Sequence, residues 1–139
     1  MTRASIVRLA LGLLCFSALL VGLPATVAPH SFYGDFPFLT HWVDLLPPYN
    51  EHLVTDVGGL YLGFAVLFFW AAWTLEATLV RAVSTAWLLV AVLHLIFHVS
   101  HLEGFGTADA IAEIASLASL VLPPIVALWA VRDAAPAQP

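Results

Sequence analysis

Apolar positions in this chain gather into four long runs, over residues 9–28, 53–75, 82–99 and 110–131, separated by stretches that hold most of the polar side chains. A hydrocarbon core about 30 Å thick needs roughly 20 apolar residues in a helix to cross it. Each run is long enough, and none alternates with the period of two that a half-buried strand would show. The pattern predicts an all-α fold: a four-helix transmembrane bundle forming one domain over residues 1–132. The connection between the first and second spans, residues 29–52, is longer and strongly aromatic, with Phe32, Tyr33, Phe36, Phe38, Trp42 and Tyr49. Amphipathic rings favour the headgroup level, so this segment reads as an interfacial lid over one end of the bundle. Pro37 would open a short helix there running to Leu46, and Pro47-Pro48 would end it. The tail over residues 133–139 has the composition of a disordered terminus.

Composition sharpens the same picture. Of 139 residues 62% are hydrophobic and 9% charged, against about 25% charged in a soluble domain. The mean hydropathy is +0.98. The first run also has features of a signal peptide, with Arg3 and Arg8 in front and small residues at Thr26 and Ala28. It is long for such a region, however, and Pro29 would follow the cut, so retention as a span is the expectation.

Charge then orients the bundle. The basic residues are Arg3, Arg8, Arg81 and Arg132. With both termini inside, all of them fall on the cytoplasmic face, as the positive-inside rule asks. All six histidines then lie on the outer side, with seven of the nine acids: Asp35, Asp44, Glu51, Asp56, Glu103, Asp109 and Glu113. The expected location is a plasma membrane, crossed four times. The arginines form no cluster, so nucleic-acid binding has no electrostatic footprint.

Several of these polar residues suit helix ends. Asn50 is a good N-cap with Glu51 in the first turn, Thr107 and Asp109 stand at the start of the fourth span, and His101 with Gly104 beyond it fits a helix C-terminus. His94, His98, Asp56 and Glu113 are different, because they sit inside apolar runs. Ionisable groups at membrane depth are expensive and generally face an interior with partners. On the second span His52, Asp56, Gly59, Gly63, Val66 and Trp70 share one helical face, and Gly59 with Gly63 forms a GxxxG pair suited to close packing. That face is expected to point inward. On the third span His94, His98 and His101 share a face, with His94 roughly 10 Å deeper than His101. Spans two and three, joined by a short connection, should be antiparallel neighbours, so that His52 and Asp56 face the histidines and Glu113 completes the ring.

The chemistry this suggests is a metal site. Histidines at i and i+4 converge on one helix face, and one or two carboxylates complete the N/O set favoured by Zn²⁺ and non-haem iron. The expected ligands are His94 and His98, with His52, Asp56 and Glu113 available for the rest of the shell. A haem would need axial histidines at matching depth; His52 and His98 are both near the surface, which favours Zn²⁺ or iron over haem. Leu95, Ile96 and Phe97 separate His94 from His98, so no glutamate base of the HExxH kind is present. The lone Cys15 excludes a disulfide within the chain, and Met1 is the only methionine, which argues against a Cu(I) carrier.

Two other readings stay open. The cluster could hold helices together in a non-enzymatic accessory subunit with a membrane-protein partner or a second copy. It could instead perform acid–base work on a lipid or quinone, with Asp56 and His94 as donor and acceptor. The stretches PYNEHLVTDVGGLYLG and HLIFHVSHLEG resemble a group of small bacterial integral membrane proteins with four predicted spans. The resemblance covers roughly residues 35–131 and implies the four-span fold. It draws attention to Asn50, Glu51, His52, Asp56, His94, His98 and His101, and implies no activity.

Overall fold

The computed structural model describes residues 1–46 and 48–132. The expected helix stop at Pro47 and the expected disordered tail over 133–139 lie outside them. The described chain is helical: α1 (Arg3–Val27), α2 (Pro29–Asp35), α3 (Glu51–Thr74), α4 (Ala77–Val99), α5 (Thr107–Ser119) and α6 (Leu122–Val131). Four helical stretches are long and apolar enough to cross a membrane: α1, α3, α4 and the α5–α6 pair. Up-and-down connections give the cyclic order α1, α3, α4, α5–α6, with α6 closing back on α1.

Local chemistry sets the boundaries. Asn50 caps α3 by accepting from Leu53 N at 3.1 Å. The fourth span breaks at Leu120–Val121, because Pro123 and Pro124 cannot donate to the preceding turn and instead occupy the start of α6. At the N-terminus of α5 the cap is Gly106, which makes no side-chain capping bond, so Thr107 is the first helical residue and not the cap. The short helix of the aromatic segment also lies elsewhere than expected. It is Pro29 that takes the first helical position, and α2 ends at Asp35. Phe38, Leu39 and His41 then have φ of 50, 67 and 61°, so a right-handed helix over 37–46 cannot form.

In lipid, helices associate through close packing more than through apolar burial. The tightest crossing is α1 on α3. A Cβ on Gly22 would come within 3.1 Å of Gly58 O, and one on Gly58 within 2.4 Å of Thr26 Oγ1 and 2.8 Å of Thr26 N. The backbones therefore meet where only glycine fits at Gly58 and a Cβ at Gly22 would be tight. On the other side of α3, Tyr61, Phe64 and Phe68 surround Trp87 of α4 edge-on, with centroids 5.4, 5.1 and 5.3 Å away. Such edge-to-face pairs each add about 0.5–1.5 kcal/mol beyond their area. Leu11, Leu14, Ala18, Phe68, Ala71, Val80 and Ala127 are fully buried around this core.

The packed face of α3 is thus Gly58, Ala65, Phe68 and Ala71, not the face of His52, Asp56, Gly59, Gly63, Val66 and Trp70. Val66 and Trp70 are exposed, and a Cβ on Gly59 or Gly63 would meet nothing within 4 Å. The expected GxxxG interface is corrected accordingly: the packing glycine is Gly58, and its partner is Gly22 on α1.

This difference is testable by thermal unfolding in detergent. Gly58→Ala should lose about 1–3 kcal/mol through overpacking against Thr26. Gly59→Ala and Gly63→Ala should be neutral or gain up to about 1 kcal/mol from helix propensity. The opposite ranking would restore the GxxxG face to the interface.

Candidate functional site

The bundle has two chemically distinct ends. At one, Arg81 Nη2 donates to the last carbonyls of α6, Val131 O at 3.0 Å and Arg132 O at 3.3 Å, and Arg8 Nε donates to Ala72 O at 3.2 Å. These bonds occupy carbonyls that helix C-termini leave free. The histidines of α4 lie at the opposite end, with the start of α5 beside them.

There the central contact is between His98 on α4 and Glu113 on α5. His98 is 8% and Glu113 3% exposed, and His98 Nδ1 and Glu113 Oε1 are hydrogen-bonded at 2.6 Å. With Glu113 as the carboxylate its oxygens can only accept, which puts the hydrogen on Nδ1 and leaves Nε2 as the ring nitrogen for other work. Glu113 Oε2 is buried without a partner. Since an unpaired buried polar atom costs free energy, this pair is not accounted for by packing alone. Its apolar setting explains why the two groups found one another.

His94 lies one turn from His98, their ring centroids 4.4 Å apart and the rings edge to face. It is two turns above Trp87 on nearly the same helical face. Trp87 is 2% exposed, whereas His94 is exposed. The α4 face that is sealed at Trp87 therefore opens toward the histidine end. Here α5 packs on α4 and not on α1, while α6 packs on both. A cavity of about 10 Å³ lies between Tyr61, Trp87, His94, Leu117 and Leu120, which is room for about one water molecule. The buried Trp87 Nε1 and Ser84 Oγ also have no protein partner, extending the polar face of α4 inward from His94.

The aromatic segment is fastened to this end. Trp42 Nε1 donates to Asp109 Oδ1 at 3.2 Å, one turn before Glu113 on α5. The segment is braced by Tyr33 OH on Asp44 O at 3.4 Å, by a His41 contact with Gly34 O, and by packing of Tyr49 against His30 and Tyr33. Desolvation and then the Glu51 carboxylate push the Tyr49 phenol above its ordinary value, so it stays neutral at physiological pH. His101 caps the end of α4, its Nδ1 donating to Phe97 O at 2.8 Å and its ring stacked on Phe97.

Of the five expected metal ligands, the structure brings three into one neighbourhood. His98 touches both His94 and Glu113. His52 and Asp56 do not join them: they pair with each other at 3.3 Å, and their side chains are 87% and 58% exposed. The physical reason is their position in the first turns of α3, where polar groups can reach the interface without turning inward. The inner face of α3 belongs instead to small residues and aromatic rings. Among the described residues no group of three or more His, Cys, Asp or Glu side chains is arranged to hold a metal ion. The expected ring of His94, His98, His52, Asp56 and Glu113 is therefore not assembled. Sequence reasoning passed over Tyr61, Ser84 and Trp87, although the 84, 87, 91, 94, 98 spacing could have found the last two. No protein-family model, curated protein or solved structure matches the chain.

The contrast between the two acids gives a direct prediction. Glu113→Ala should cost about 3–5 kcal/mol, the usual result of stranding one member of a buried pair. Asp56→Ala should cost less than about 1 kcal/mol, since its partner is exposed. Denaturation of both variants in the same detergent distinguishes this arrangement from one in which Asp56 faces the histidines.

Proposed function

We infer that the protein is an integral protein of the bacterial plasma membrane, with both termini cytoplasmic, whose outer end carries an acid–base site acting on the oxygen-bearing headgroup of a lipid or quinone. The observation that carries this reading is the buried His98–Glu113 pair. Apolar residues of similar volume could join α4 to α5 at equal or lower free energy, and ionisable groups at this depth usually mark function. Glu113 orients the imidazole and offsets charge on it, His98 Nε2 gives or takes the proton, and His94, being exposed, meets the headgroup first. The cavity is too small for a ring, so the headgroup approaches from the open side beside His94 and does not enter the core. The full burial of Leu11, Leu14 and Ala18 of α1 supports retention of the first span. The likeness to small bacterial four-span membrane proteins belongs to the same reading.

The test is nitrogen NMR of protein carrying ¹⁵N-labelled histidine in lipid nanodiscs. His98 should show a single tautomer with the hydrogen on Nδ1. Adding a short-chain quinone or a hydroxyl-bearing lipid should move its Nε2 signal, and Glu113→Gln should abolish that response while the bundle stays folded. An Nε2 signal indifferent to every headgroup would remove the acid–base role and leave the pair as a fastening within an accessory subunit.

A second reading keeps the metal, on a narrower basis. His98 Nδ1 held by a carboxylate, with Nε2 free and a second imidazole one turn away, is the arrangement in which a second-shell acid orients a metal-bound histidine. In this reading Glu113 orients and does not ligate. His94 and His98 supply two nitrogens to Zn²⁺ or iron, and the remaining donors come from outside the chain. Protein purified without a histidine tag should then contain stoichiometric Zn or Fe that His94→Ala/His98→Ala lacks. Equal metal content in both would end this reading.

A further inference from the structure

We propose that the arginine end of the bundle carries a binding site for one anionic phospholipid, in the groove between α1 and α3 lined by Arg8, Phe69, Ala72 and Trp73. The proposal does not rest on the histidine cluster. The groove holds about 450 Å³, enough for a phosphoglycerol headgroup and the first part of its chains. Its floor and walls are apolar except for Arg8. That side chain is not left to wander: its Nε is bonded to Ala72 O at 3.2 Å, a carbonyl in the last turn of α3 that has no helical partner. Anchored there, the guanidinium keeps both Nη groups for an acceptor, and no carboxylate of the described residues pairs with it. A guanidinium fixed through Nε presents a planar fork matched to two phosphate oxygens.

The surroundings select a lipid over free phosphate. Phe69 and Trp73 are 61% and 76% exposed and stack on one another with centroids 6.2 Å apart. They lie on the lipid-facing side of α3 at its last turns, where aromatic rings meet the headgroup region. A free anion would contact Arg8 and leave this surface uncovered, whereas a phospholipid covers both. Charge favours the same occupant: Glu76 is the one acid at this end among the described residues. Anionic headgroups are held by basic residues at the membrane surface in this way.

Native mass spectrometry of the full chain, released from detergent carrying equal amounts of phosphatidylglycerol and phosphatidylcholine with the same acyl chains, reads the site. Phosphatidylglycerol should be retained about fivefold more than phosphatidylcholine, the difference expected from one basic residue at an anionic surface. Arg8→Gln should reduce that ratio to about one. Arg3→Gln, at a residue with a partner of its own, should leave it unchanged. Trp73→Ala should weaken retention of both lipids. Arg8→Lys keeps the charge but loses the fork, and should give an intermediate ratio; it decides the matter if Arg8→Gln fails to fold. Equal retention of the two lipids by the unaltered protein, a preference that survives at Arg8, or release of the lipid by inorganic phosphate alone would each overturn the proposal.

Discussion

The bundle turns on the place where α1 and α3 touch backbone to backbone, at Gly22 and Gly58. Lipid chains are as apolar as leucine, so burying apolar surface between helices yields little in a membrane, and close contact has to supply the association. A crossing with no room for a methyl group fixes the rotation of α3. With that rotation set, Tyr61, Phe64 and Phe68 meet Trp87 on α4, and His52 with Asp56 is carried to the outside. A rotation of α3 by half a turn would exchange these faces and dismantle the aromatic packing. The outward placement of His52 and Asp56 thus follows from two glycines that have no chemistry of their own.

The break in the fourth span does complementary work. Pro123 and Pro124 start a new helix, which lets α6 pack on both α1 and α4 while α5 follows α4 alone. The core is closed at the arginine end and around Trp87. Toward the histidine end it opens, which is why His94 can share a face with Trp87 and yet be exposed. Polar contacts hold the half-helix at the histidine end: His98 on Glu113 from α4, and Trp42 on Asp109 from the aromatic segment. Both contacts fall on consecutive turns of α5, so a headgroup that altered one would be felt by the other.

Much of this was legible in the sequence. Four apolar runs gave four membrane-length helices, and Asn50 gave the start of α3. Glu113 was legible because an acid in an apolar run needs a partner, and His98 was near in depth. The face of the second span was misread. Gly58, Gly59 and Gly63 offer two ways to pack, and the GxxxG spacing favoured the wrong one, because the deciding residue, Gly22, lies on another helix. His52 and Asp56 then appeared inward, although the first turns of a spanning helix are shallow enough for charged groups to stay at the interface. The lid helix was misplaced for a related reason: Pro29 and Pro37 are both acceptable first-turn residues, and only the left-handed backbone after Pro37 separates them.

The chemistry of the histidine end depends on His98 and Glu113 acting as one unit across α4 and α5. A double-mutant cycle with His98→Leu, Glu113→Leu and the combined variant, followed by reversible unfolding in mixed micelles, measures that directly. The structure predicts a coupling of about 2–3 kcal/mol, with the double variant more stable than either single one. Additivity within about 0.5 kcal/mol would mean that the two side chains do not meet in the folded protein, and the site described here would not exist.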